Sequence, residues 1–80
     1  MEAGIVTVDL HGKNQYQAQV TVDAMLRRAG GGTYRLRLIH GSSRGTALRD
    51  LIRSRYGQHP RVLRLDCTNA NVTDLVLREF

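Results

Sequence analysis

The sequence predicts a two-layer α/β sandwich of order βαβαββ, with a four-stranded mixed sheet and two helices. Three observations predict it. Two segments alternate apolar and polar residues and are each followed by a one-sided apolar helical stripe. Glycine-rich breaks close both helical segments. The last two strand-like segments stand too close together for a helical crossover and should run antiparallel.

Ile5 to Leu10 alternates β-branched and polar positions and suits a short first strand, ended by His11 and Gly12. Asn14 is a candidate helix N-cap, and Ala18, Val22, Met25, Leu26 and Ala29 fall on one helical stripe. Gly30, Gly31 and Gly32 then stop the helix, glycine readily taking the left-handed conformation there. In the next strand, Thr33 to His40, Tyr34, Leu36 and Leu38 lie on one face and Arg35 and Arg37 on the other. After a loop from Gly41 to Gly45, Ala47, Leu48, Leu51 and Ile52 form the second stripe, closed by Gly57. His59 and Pro60 make a turn into a third strand, Val62 to Asp66, and Val72 to Leu77 supplies the fourth. Strand–helix–strand units of this length make parallel neighbours with right-handed crossovers. One-sided stripes place the helices against the sheet.

Eighty residues, 41% of them hydrophobic, make one small globular domain over residues 1–80. No apolar run approaches membrane-spanning length. Met1 to Leu10 combines Glu2 and Asp9 with no basic leader, so no signal peptide and a cytoplasmic location are expected. Cys67 is alone, cannot make an internal disulfide, and is expected as a small, at least half-buried thiol just after a strand. Tyr16, Tyr34 and Tyr56 are expected to pack at the edge of the core.

The charge is unevenly placed. Arg27 to Arg64 contains ten arginines and one acid, Asp50, a net of +9, whereas the rest of the chain is net negative. A concentrated basic segment is the footprint of a phosphate-binding surface, and arginine's planar fork suits phosphate. Arg35 and Arg37 share a strand face and Arg49 and Arg53 a helix face. A solvated basic surface with salt bridges to Asp50 or Glu79 is the competing reading of these pairs.

In an open α/β sheet, ligands bind beyond the carboxyl ends of the parallel strands. The first strand delivers Asp9, Leu10, His11 and Gly12 there, and the second delivers His40 and Gly41. Asp9 and His11, two residues apart, share a face. The loop Gly41-Ser42-Ser43-Arg44-Gly45, with Thr46, enters the second helix, whose free amides favour an anion. It is not a P-loop, because no lysine follows the glycine and the spacing is too short. An ordinary capped turn would give the same sequence.

These two motifs carry a family resemblance. Val8-Asp9-Leu10-His11-Gly12 resembles the leucine-aspartate-x-histidine-glycine motif of the Smr (small MutS-related) domain family. Ile39-His40-Gly41, leading to Gly45-Thr46-Ala47-Leu48-Arg49, resembles its histidine-glycine-x-glycine motif. Ser43 stands where the pattern has its second glycine, and the loop is one residue longer, so the loop takes a path of its own.

The resemblance implies binding to DNA or RNA and an endonuclease or nickase that hydrolyses phosphodiester bonds. The alternative it carries is a non-catalytic nucleic-acid-binding module working with a larger repair, recombination or ribosome-associated assembly. The implied catalytic residues are Asp9, His11 and His40: one imidazole would deprotonate the nucleophile, another would protonate the leaving oxygen, or the aspartate would orient a histidine. Lys13, Gly41, Ser42, Ser43, Arg44, Gly45, Thr46, Arg49 and Arg53 are the candidate phosphate-binding set, and Arg44 or Arg49 would offset the charge developing on phosphorus. One carboxylate and two imidazoles could also hold a transition ion, so a divalent cation, Mg or Mn, is kept as an optional cofactor without assigned ligands. His59, before Pro60, is expected to be structural.

Overall fold

A computed structural model describes residues 4–41 and 46–79. The element order is β1 (Ile5–Asp9), α1 (Gln15–Arg28), β2 (Arg35–Ile39), α2 (Ala47–Tyr56), β3 (Arg64–Asn69) and β4 (Val72–Val76), the βαβαββ sandwich with a mixed sheet. Strands lie in the order β1-β2-β4-β3. β1 and β2 are parallel, with Asp9 opposite Ile39, and β4 runs antiparallel to both β2 and β3. The expectation that β3 follows β2 as its parallel neighbour is therefore corrected: β4 inserts between them. A short β3–β4 turn must form an antiparallel pair, and placing β4 centrally gives it two partners instead of one.

α1 starts as the sequence predicts. The Asn14 side chain accepts from Gln17 N–H at 2.8 Å and the Gln17 side chain accepts from Asn14 N–H at 3.0 Å, a reciprocal capping box. Its buried stripe is Ala18, Val22 and Leu26, with Met25 packed at the margin. Neither helix ends on a left-handed glycine, contrary to expectation: Ala29 turns extended after α1, and Gly57 stays in the right-handed region. Gly57 is instead constrained by space, since a Cβ there would sit 2.8 Å from the Arg53 carbonyl oxygen.

The core lies between the helices and one face of the sheet. Val8 and Leu10 from β1 and its end, Leu36 and Leu38 from β2, and Leu75 from β4 meet Val22, Leu26, Ile52 and Tyr56 from the helices. Each such large side chain withdrawn from water contributes about 1.5–3 kcal/mol before chain entropy is set against it. Tyr56, expected at the edge, is fully buried and donates to Asp23 Oδ1 at 2.7 Å. Burial of the ring and the bond to Asp23 push its phenol up to about 12. Tyr16, by contrast, is 75% exposed and packs nowhere in the core.

β3 begins and ends later than the alternation suggested, because its register is set by pairing with β4 and a bulge between Asp66 and Asn69 carries it to the turn. Cys67 lies inside this strand and is exposed, correcting the half-buried thiol expected after it. Val62, expected as the first strand residue, reaches the core from the preceding turn.

On the sheet face away from the helices, Asp74 of β4 is paired opposite both Arg37 and Asp66. Its carboxylate is wholly buried under two arginines: Arg35 Nη1 donates to Asp74 Oδ2 and Asp66 Oδ2, each at 2.8 Å, and Arg37 Nε reaches Asp74 Oδ1 at 3.2 Å. The hydrogen bond from Arg35 holds the Asp66 carboxyl below its ordinary value. Arg35 and Arg37 thus spend their donors on cross-strand pairing and do not extend the strand-end rim.

Candidate functional site

The rim forms where β1 and β2 end together. Leu10 continues the ladder by donating its N–H to Ile39 O at 2.8 Å, and its side chain is fully buried. Strand alternation then turns Asp9 and His11 the other way, into solvent. Lys13 N–H closes back on Leu10 O at 3.1 Å, a tight turn in which Gly12 adopts φ +80°.

Asp9 and His11 are brought together. Asp9 Oδ1 accepts the His11 main-chain N–H at 3.0 Å and lies 2.5 Å from His11 Nδ1. The ring bond, then the main-chain bond, then the nearby charges of His11 and Lys13 hold the Asp9 carboxyl below its ordinary value. An ionised carboxylate can only accept, so Nδ1 carries the proton of the short bond. In the neutral ring that leaves the Nε2 lone pair available on a side chain that is 75% exposed. The pair has the form of a general base held and oriented by a carboxylate.

Gly41 connects the two motifs. It adopts φ +71°, and a Cβ built on it would lie 3.9 Å from the His11 Cβ, so the glycine of the second motif sits beside the histidine of the first. Its N–H and that of His40 both donate to Asn71 O, at 3.1 and 3.0 Å, tying the end of β2 to the β3–β4 turn.

His40 takes a different position from His11. It follows Leu36 and Leu38 on the helix-facing row and is buried, with Nδ1 3.1 Å from Gly41 O and Nε2 3.0 Å from Thr73 Oγ1. Arg53 Nε donates to the same Thr73 oxygen at 3.2 Å. A carbonyl accepts only and a guanidinium donates only, which for a neutral ring fixes the chain: Arg53 donates to Thr73, the Thr73 hydroxyl donates to His40 Nε2, and His40 Nδ1–H donates to Gly41 O. His40 bonds to neither Asp9 nor His11. It holds the Gly41 peptide beside them.

Among the candidate phosphate-binding residues, Arg53 also donates to Asn69 O at 3.4 Å and so braces the β3–β4 turn against α2. Thr46 precedes α2 without capping it; its hydroxyl donates to Asp50 Oδ2 at 2.9 Å. Arg49 meets Asp50 Oδ1 at 3.1–3.2 Å. These bonds, from Thr46 first and Arg49 second, keep the Asp50 carboxyl below its ordinary value. Lys13, half-buried beside the Asp9–His11 turn, keeps its ammonium without a hydrogen-bonding partner among the described residues. Ser42, Ser43, Arg44 and Gly45 lie outside the described residues.

No three described histidine, cysteine, aspartate or glutamate side chains converge closely enough to hold a metal ion. His59 accepts the Arg61 N–H at 3.1 Å on Nδ1, with its ring 5.9 Å from that of Tyr56, and shapes the turn before β3. No described helix is long and apolar enough to cross a membrane.

The sequence located Asp9, His11 and His40 at the strand ends, but not the Thr73–Arg53 support behind His40. The available signal was Thr73 itself, a polar residue on the row of β4 that also carries the buried Leu75.

Comparison with known proteins agrees with the fold. No curated protein matches the chain. Among solved structures, the crystal structure of the Smr domain of Thermus thermophilus MutS2 matches with a TM-score of 0.82 and 32% sequence identity, covering 92% of this chain and 99% of that one. The model of the Smr domain family matches residues 8–72, from the strand that delivers Asp9 to the start of the strand that carries Thr73. The chain belongs to the Smr domain family.

Proposed function

We propose that this Smr domain binds DNA or RNA and cleaves phosphodiester bonds, with the Asp9–His11 pair as its reactive centre. The observation that carries the proposal is the 2.5 Å contact between Asp9 Oδ1 and His11 Nδ1 on an exposed turn, which orients the ring and leaves Nε2 for a substrate proton. Nε2 removes the proton of a water or ribose hydroxyl as that oxygen bonds to phosphorus. Asp9 stabilises the imidazolium so formed, the bond from phosphorus to the leaving oxygen breaks, and the imidazolium returns its proton to that oxygen. Lys13, beside the pair, supplies positive charge for the phosphoryl oxygens. His40 acts as a positioning residue through Gly41, in place of a second reactive imidazole.

The proposal is tested with labelled single- and double-stranded DNA and RNA, with and without Mg or Mn. Wild type should cleave at least one of them and His11→Ala should not; equal turnover by the two proteins would remove the catalytic reading.

A second reading, a non-catalytic module that binds nucleic acid and works with a larger repair, recombination or ribosome-associated assembly, is favoured by one observation. Both ring nitrogens of His40 are engaged and Arg49 is held by Asp50, which leaves few groups on the described rim to assist a leaving oxygen. Binding without turnover by wild type would select it.

A further inference from the structure

The end of the domain opposite the Asp9–His11 turn, where β1, β2 and β3 begin and both helices finish, carries a linked series of clefts. One of about 410 Å³ is floored by Leu26, Ala29, Pro60, Leu63 and Leu77 and edged by Arg61 and Arg78. A second, of about 330 Å³, shares Leu26 and Arg61 with it and adds Asp23, Arg27, Arg55 and His59. A third, of about 420 Å³, shares Arg78 and adds Tyr34, Arg35, Arg64, Val76 and Glu79. The shared residues make the three one continuous belt.

Two properties of the belt point to a ligand. The first is charge. Arg35, Arg55 and Arg64 are balanced by Asp66 and Asp74, Asp23 and Glu79, and Arg61 spends one donor on Leu26 O at 2.9 Å. Arg27 and Arg78, one in each cleft flanking that arginine, have no side-chain partner among the described residues. The second is the exposed apolar floor: Leu63 is 61% exposed at the middle of the belt. Arginines pair with phosphates along the edge, and exposed apolar side chains between them can cover the face of an unstacked base. A duplex keeps its bases stacked and would leave that floor uncovered.

We infer that this arginine belt is a second nucleic-acid contact, specific for a single-stranded segment, at the pole opposite the reactive turn. It rests on the nucleic-acid-binding reading given above and deepens it: the strand is gripped at one end of the domain while the Asp9–His11 end remains open to the bond to be cut.

The test is the affinity of the whole chain for fluorescein-labelled 20-nucleotide single strands, (dT)20 and (rU)20, and for a 20-base-pair duplex, by anisotropy across a salt series. The variants are Arg27→Gln/Arg78→Gln and Leu63→Ser, with Gln15→Ala, an exposed position at the start of α1, as the control at the other pole. Neither the Arg27 nor the Arg78 side chain has a bond to lose among the described residues, so thermal melting should match wild type. The expected result is at least tenfold weaker single-strand binding by the double variant, a salt slope shallower by about 1.4, a smaller loss for Leu63→Ser, and binding by Gln15→Ala indistinguishable from wild type. Wild-type strand binding that the double variant retains would overturn the belt and leave the nucleic-acid reading standing. Absence of binding to any strand or duplex by wild type would overturn both. Binding of poly-L-glutamate in preference to either strand would overturn the inference in favour of an acidic protein partner.

Discussion

Thr73 Oγ1 lies 3.0 Å from His40 Nε2 in the interior of the domain, and this bond decides what each histidine of the two motifs can do. Because Gly41 O can only accept, the proton of a neutral His40 ring sits on Nδ1, and Thr73 offers its own proton to Nε2 while accepting from Arg53. Replacing Thr73 by Val leaves His40 Nε2 and Arg53 Nε without their partner inside the fold. The expected loss is about 1–3 kcal/mol in urea unfolding. Nitrogen-15 spectra of wild type should show His40 as the Nδ1–H tautomer, and of Thr73→Val a changed tautomer balance.

Asp74 is the acceptor on which Arg35 and Arg37 converge, and its side chain is fully buried. Asp74→Ala should cost about 3 kcal/mol, since the buried carboxylate on which Arg35 and Arg37 converge is removed and Arg35 keeps only the more exposed Asp66. Arg64→Ala, which removes a half-exposed pair with Glu79, should cost well under 1 kcal/mol. Chemical denaturation of the two variants side by side checks the ordering.

The Tyr56 phenol, raised to about 12 by burial and by Asp23, links stability to alkaline pH. Its folded value lies above the ordinary 10.0, so its contribution is complete below pH 10 and is lost as pH rises from there towards 12. The melting temperature of wild type should therefore decline over that range, and Tyr56→Phe should decline less steeply from a starting point lower by about 1–2 kcal/mol.

At the acid end, Asp9, Asp50 and Asp66 are all held below 3.8 by hydrogen bonds from His11, Thr46 and Arg35 respectively. A depressed carboxyl contributes stability that is fully present above its unfolded value and lost as pH falls through its folded one. Thermal melts should thus fall away below about pH 4, and Asp66→Asn should flatten part of that slope.

Much of the fold was legible because alternation and helical stripes report burial directly: Leu36 and Leu38, and Ala18, Val22 and Leu26, are buried as their spacing indicates. Strand order was less legible, because pattern fixes which face of β4 is buried but not which edge of the sheet it joins. At the site, the two-residue separation of Asp9 and His11 anticipated their pairing. His40 was harder: its motif places it at the rim, but its parity with Leu36 and Leu38 turns the ring inward to Thr73. The ion-pair partners of Arg35 and Arg37 were not legible, because Asp66 and Asp74 lie more than 25 residues away along the chain and meet them only through the β2–β4–β3 register.

The most direct test of the central claim is the single-turnover cleavage rate of a labelled strand by wild type, Asp9→Asn and His11→Ala, with binding measured in the same samples. The oriented pair predicts cleavage by wild type, a loss of at least about 100-fold in both variants, and affinities within about threefold of one another. Undiminished cleavage by Asp9→Asn or His11→Ala would contradict it.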